Sequence, residues 1–265
     1  MIESRLARSF AWMLLAFAGA AFAGAAQAAA VLTSYQGDVR VAPPGQPTAE
    51  ATADEAIPAG AMVVVGFNGR AVLKFDDGQV VALGANTTFR VAEFSYDAAK
   101  PSEGRVVLDL LKGTLRAITG LIARANHQAF ALRVPQATIG IRGTDFLAGV
   151  ENQLFVSVNS GQIAVTNDAG TMLFGPGQLG GATSTSSLPS GITASQLPTD
   201  ITQSFSELNG LGSLGGLSGG AGGTGAEGGG LSKGTAALIG LGVIAAGAAA
   251  AAGGGGGGTS TTTHH

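Results

Sequence analysis

The 265-residue chain contains no cysteine. Disulfide staples, thiolate nucleophiles and cysteine-based metal sites are therefore excluded, and any exported domain must hold together by burial and backbone pairing alone. Aromatic residues are scarce as well, at 6% with a single Trp, so a core must be built mainly from aliphatic side chains. Charge is sparse and nearly balanced. Residues 30–180 carry eleven Lys/Arg against thirteen Asp/Glu, a balance of −2, and the basic residues are spread along the region. A nucleic-acid ligand calls for a concentrated basic face, so that class is excluded. Catalytic signatures are missing too. There is no G-x-S-x-G elbow and no Asp-x-Asp-x-Asp-Gly cation loop, and residues 30–180 hold one histidine, His127. The expectation is a protein that is not an enzyme and carries no cofactor or metal.

What the chain does have begins with an export signal. Arg5 and Arg8 precede an apolar run from Phe10 to Phe22, and Ala26-Gln27-Ala28 matches the small-residue pattern of signal peptidase. Residues 1–28 read as a signal peptide, and the mature chain is expected to start near Ala29 in the periplasm or cell envelope. After Gly180 the composition shifts to Ser, Thr, Gly and Leu. Residues 181–233 read as a low-complexity linker, with a weak amphipathic pattern at Asp200–Leu208. Residues 234–252 are uncharged, Ala-rich and long enough to cross a bilayer, so a membrane tether and a sticky or sorting tail are the competing readings. Residues 253–265 read as a disordered tail. Its terminal His264-His265 does not make a metal site.

The middle of the chain, residues 30–180, reads as one all-β domain. Runs of four to eight residues alternate apolar with polar, as in Ala71-Val72-Leu73-Lys74-Phe75 and Phe155-Val156-Ser157-Val158-Asn159. The expected strands include 105–111, 114–118, 138–141, 154–158 and 162–166. Asn68-Gly69, Asp76-Asp77-Gly78, Asn159-Ser160-Gly161 and Asn167-Asp168-Ala169-Gly170 stand between strands as turn formers. Residues 43–58 read as a surface excursion. Sandwich, barrel and solenoid all fit this pattern, and the short strands with compact connections suit a coiled stack.

Several motifs, in order, resemble the FecR domain of bacterial envelope proteins. They are Gly37-Asp38-Val39-Arg40-Val41, the run from Gly69 to Gly78, Leu83 with Thr87–Val91, Leu111–Leu115, and Pro135–Phe146 with its Ala137–Asp145 signature. The resemblance covers residues 30–166. It implies a β-solenoid-like domain outside the cytoplasm, non-enzymatic as in familiar members. The best-understood members are transmembrane anti-sigma regulators that relay iron-siderophore signals. This chain departs from them, with a leader where the sigma-binding segment would stand and low-complexity sequence where a second periplasmic subdomain would follow.

The signature carries the main candidate site. Arg142 and Asp145 flank Gly143-Thr144, so the two side chains are expected to meet across one tight corner, with Gly143 letting the backbone bend. The structural reading is a locked turn; the functional reading makes Arg142 a partner contact. A second candidate is the series Arg105, Arg116, Arg124, Arg133 and Arg142, at about ten-residue spacing, which a solenoid would stack into an anion- or glycan-facing ladder. Its plain alternative is that each arginine snorkels at a strand end. Asp76-Asp77-Gly78 reads as a hairpin turn, and no spacing joins Glu103, Asp109 and Glu151 as acid and base. The expected function is an exported binding, sensing or scaffold module for an envelope protein or glycan, tethered to the membrane if residues 234–252 span it. A structural or adhesive surface protein is the alternative, and a component of iron-responsive signalling a second one.

Overall fold

The computed structural model describes residues 28–211. The expected signal peptide, the expected membrane segment 234–252 and the tail lie outside the described residues. Among the described residues, no helix is long and apolar enough to cross a membrane.

The fold is mostly β. Strands β1 (Ala28–Gln36), β2 (Val39–Ala42), β3 (Ala49–Glu50), β4 (Ala56–Pro58) and β5 (Met62–Val65) come first. Next are β6 (Arg70–Phe75), β7 (Val80–Leu83), β8 (Thr88–Ser95) and the long β9 (Arg105–Ile118). A short helix, α1 (Leu121–Ala125), leads to β10 (Phe130–Val134) and to two further long strands, β11 (Ala137–Val150) and β12 (Leu154–Asn167). β13 (Gly170–Phe174), β14 (Leu179–Ala182) and β15 (Ser190–Gly191) close the sheet, and helix α2 (Thr199–Gly210) follows.

All fifteen strands belong to one hydrogen-bonded sheet, and every ladder is antiparallel except that of β10 on β9. The all-β expectation holds, and the strands form an open, folded sheet. Antiparallel connections place β7 beside β6, β9 beside β8, β11 beside β10 and β12 beside β11.

The sheet folds because its three 14-residue strands bend. β9 runs beside β8 and β10 up to Lys112 and beside β7 and β11 from Gly113 onward. β11 and β12 change partners in the same way, with a register break between Arg142 and Phe146. Each bend holds a glycine with positive φ: Gly113 at 90°, Gly143 at 57° and Gly161 at 76°. The apolar alternation slips by one residue at each bend. Leu108 and Leu110 point inward before it in β9 and Leu115 and Ala117 after it; Ile139 and Ile141 are followed by Phe146 and Ala148 in β11. The extra residue keeps both arms' apolar faces turned inward, as a bulge does.

Both half-sheets thereby face one interior. Leu32, Leu73, Phe75 and Phe146 from one half share a buried cluster with Val63, Phe89, Leu108 and Ile139 from the other. Phe75 of β6 meets Phe94 of β8 across it, with ring centroids 5.5 Å apart. The sheet outlasts the expected boundary at residue 180, and α2 occupies part of the stretch expected to be a linker. Its residues Ile201, Phe205 and Leu208 are buried against the outer surface of one half, on Val72, Val80, Ala82, Leu147 and Phe155. A sparse apolar stripe within polar sequence is enough for a helix that has a sheet to lie on. The excursion 43–58 is likewise partly built in, with β4 pairing to β1 and Ile57 fully buried.

Candidate functional site

The signature corner lies at the bend of β11, and its pairing differs from the expected one. Asp145 does not pair with Arg142; it accepts a bidentate pair of hydrogen bonds from Arg116 on the neighbouring strand β9, Nε to Oδ1 at 2.9 Å and Nη2 to Oδ2 at 2.7 Å. The Arg116 side chain is only 9% exposed. The register break between Arg142 and Phe146 is the physical reason. It sets Asp145 opposite Ile118, two residues along β9 from Arg116 and on the same face, while Arg142 stands opposite Gln162 at the solvent. Among the described residues Arg142 has no ion-pair partner.

Around this pair the polar groups are saturated. Asn159 of β12 donates to Asp145 Oδ1 at 3.2 Å and to Asn209 Oδ1 at 2.9 Å. Arg116 Nη1 donates to the Leu208 carbonyl at 3.2 Å, so the guanidinium also caps the end of α2. Thr144 is buried and locked to Thr119: its amide donates to Thr119 Oγ1 at 2.7 Å, and Thr119 Oγ1 donates to its carbonyl at 2.8 Å. Gly143 bends freely, with nothing near the position a Cβ would take.

The expected arginine ladder does not form, because its members belong to different faces. Arg116 lies under α2, and Arg124 is exposed on α1. Arg105 pairs with Glu93 at 2.8 Å on the opposite outer surface. Arg133 donates to Asp109 Oδ1 at 2.7 Å, and Arg90 donates to Oδ2 at 2.7 Å from the other side. The Asp109 side chain, 6% exposed, is thus clamped between two guanidiniums. Glu103 pairs with Lys100, and His127 stands exposed as a loop imidazole is expected to.

Asp77 confirms the hairpin reading and adds to it. Its carboxylate is buried, accepts from the Gln79 amide at 3.0 Å and from the Ile122 amide at 3.4 Å, and so ties the β6–β7 turn to the first turn of α1. Burial pushes its pKa above the ordinary carboxylate value, with the nearby Asp76 charge adding to the rise, against the lowering effect of those amide bonds.

Sequence reasoning passed over the surface that remains uncommitted. The loops after β5 and β7 and the bend of β9 converge beside α2 into a groove of about 760 Å³. Phe67 stands at its mouth, 77% exposed, with Asn68, Arg70, Asn86, Lys112 and Glu151 along its walls. Arg70 is held by Gln36, whose Oε1 accepts from Nη2 at 2.6 Å. Asn68-Gly69 signalled a turn correctly, but a turn motif carries no hint that three loops meet. The one available signal was a phenylalanine beside that turn, where solvent exposure is unusual for so apolar a ring.

The fold and these pairings define a mostly β, disulfide-free domain whose signature residues brace a corner. The comparisons agree on its class: residues 61–164 match the family model described as FecR protein. Two crystal structures of a candidate anti-sigma factor from Parabacteroides distasonis, at 1.65 and 2.50 Å resolution, are also similar. Each aligns at 20% identity with a TM-score of 0.41, covering 50% of this chain. The aligned part spans 59% of those solved chains. No curated protein matches the sequence.

Proposed function

We propose that the protein is an exported, non-enzymatic binding module of the bacterial envelope, in which a FecR domain presents the Phe67 groove to a protein or glycan partner. The observation that carries this reading is the 77% exposure of Phe67 at the mouth of a groove with amide and charged side chains. An exposed ring loses contact with water when a partner covers it, and the surrounding amides supply orientation. Asp145 of the signature is taken up by Arg116, and Asp109 by Arg90 and Arg133, which favours the groove over these pairs as the contact surface. The FecR domain itself supports a signalling or regulatory setting. Export rests on the leader-like residues 1–28, and a tether on residues 234–252. A stack-like, solenoid-type presentation of the motif loops along one rim belongs to the same proposal.

The test is capture of partners from envelope extracts by the purified chain and by its Phe67→Ala variant. The native chain is expected to retain a partner that the variant loses, with an unchanged melting temperature because the ring is exposed. Equal capture by both would sink the groove. Fractionation of cells into soluble envelope, inner-membrane and outer-membrane material checks the location.

One observation favours the structural or adhesive alternative. β13 pairs only with β12 among the described residues, and its Leu173 is exposed. An edge strand without charge or proline is a template for pairing with another chain. Concentration-dependent polymers of the native chain, abolished by Leu173→Lys, would support that reading; a monomer at all concentrations would remove it.

A further inference from the structure

The outer surface under α2 is assembled from residues inside the family-matched region, whereas α2 itself begins at Thr199, well beyond its end at residue 164. That surface has an apolar floor of Val72, Leu147 and Phe155 and a polar anchor, the Arg116–Asp145 pair, at one end. α2 fits both parts. Ile201, Phe205 and Leu208, spaced i, i+4, i+7, lie on the floor, and the carbonyls of Leu208 and Asn209 receive Arg116 Nη1 at 3.2 and 3.5 Å. The guanidinium thereby meets the negative end of the helix dipole. Arg116 satisfies a carboxylate and a helix end at once.

We propose that this surface is a receptor for amphipathic helices, occupied in cis by α2 and open to an equivalent helix of a partner protein when α2 lifts. The partner chemistry is set by α2: aliphatic, aromatic and aliphatic side chains at i, i+4 and i+7, no basic residue in the last turn, and a final turn with free carbonyls over the Arg116–Asp145 pair. α2 is suited to leave. A 12-residue helix is marginal by itself, and three side chains are its whole buried face. Lifting it breaks no strand ladder, since β15 ends at Gly191 and the intervening residues carry only a single 3-10 turn. The anchor remains folded without it, because Asp145 and Asn159 are held by β11 and β12. Release of α2 then trades one helix for another on the same floor, a population shift that a partner of higher affinity drives.

The absence of cysteine makes the test clean. A labelled peptide spanning Leu197–Leu211 is titrated into the full chain and into two variants that weaken only the cis helix, Phe205→Ala and Ser206→Pro. Both variants are expected to bind the peptide at least tenfold more tightly than the native chain. A third variant carries Gly149→Cys and Ile201→Cys; a Cβ at Gly149 would lie 3.0 Å from Ile201 Cδ1. Oxidised, it should refuse the peptide; reduced, it should accept it. Failure of both weakened variants to bind more tightly, or equal binding by the oxidised and reduced lock, would overturn the proposal. Because α2 also lines the Phe67 groove, the two readings are told apart by Phe67→Ala, which leaves the α2 floor untouched and should not change peptide binding.

Discussion

Arg116 and Arg142 are both charged, both near the signature, and of opposite consequence. Arg116 is buried in a bidentate pair, and its removal strands Asp145 and uncaps α2. Arg116→Ala is expected to lower the unfolding free energy by about 3 kcal/mol, whereas Arg142→Ala should stay within about 0.5 kcal/mol. Urea denaturation of the two variants checks this, and equal losses would refute the assignment. Asp77 gives a pH signature. Its folded pKa is raised, so the folded state holds the proton more tightly than the unfolded chain does. The stabilisation is complete below the unfolded pKa and disappears as pH climbs through the folded one. Asp77→Asn should therefore gain stability relative to the native chain as pH rises above the ordinary carboxylate range, measured as the difference in unfolding free energy at each pH. A difference independent of pH would contradict the raised value.

At the scale of elements, the bends of β9, β11 and β12 decide the architecture. Gly143 and Gly161 both have positive φ, yet their surroundings differ. A Cβ on Gly161 would collide with the carbonyl oxygen of Gly143, while one on Gly143 meets nothing. Gly143→Ala should cost about 1–2 kcal/mol, the ordinary cost of a left-handed residue. Gly161→Ala should cost clearly more, because the backbone of β11 has to move. Thermal melts of the two variants rank them, and the reverse order would mean that the bend is not packed against its neighbour. These bends also explain why the strand reading broke where it did. An alternation that slips by one residue at Lys112-Gly113 or at Asn159-Ser160-Gly161 reads locally as two strands and a turn. Whether the chain reverses or merely bends there depends on partner strands far away in sequence.

For the whole molecule, the question is where the folding unit ends. Composition placed its end at residue 180, yet the Val72–Phe155 surface is covered only by residues beyond that point. A chain ending at Gly180 should lose the second half of β14 as well as β15 and α2, and expose that apolar floor. It is expected to bind a hydrophobic dye and to associate, whereas a chain ending at Leu211 should remain monomeric and dye-free. Identical behaviour of the two would show that α2 adds nothing to the fold. The same pair of chains would also report on the docking surface, since only the shorter one presents it permanently.

Local chemistry was legible from the residues alone. The lack of cysteine, the period-two apolar pattern, the hairpin at Asp76-Asp77-Gly78 and the FecR motifs depend on neighbours a few positions apart, and all of them are in the structure. The partner of Asp145, the clamp on Asp109, the folding of one sheet into two facing halves and the meeting of three loops behind Phe67 were settled only by the tertiary arrangement. Each joins groups nineteen or more residues apart in sequence. Such contacts follow from strand order and register, which short-range alternation leaves undetermined because a slip of a single residue turns every side chain to the opposite face.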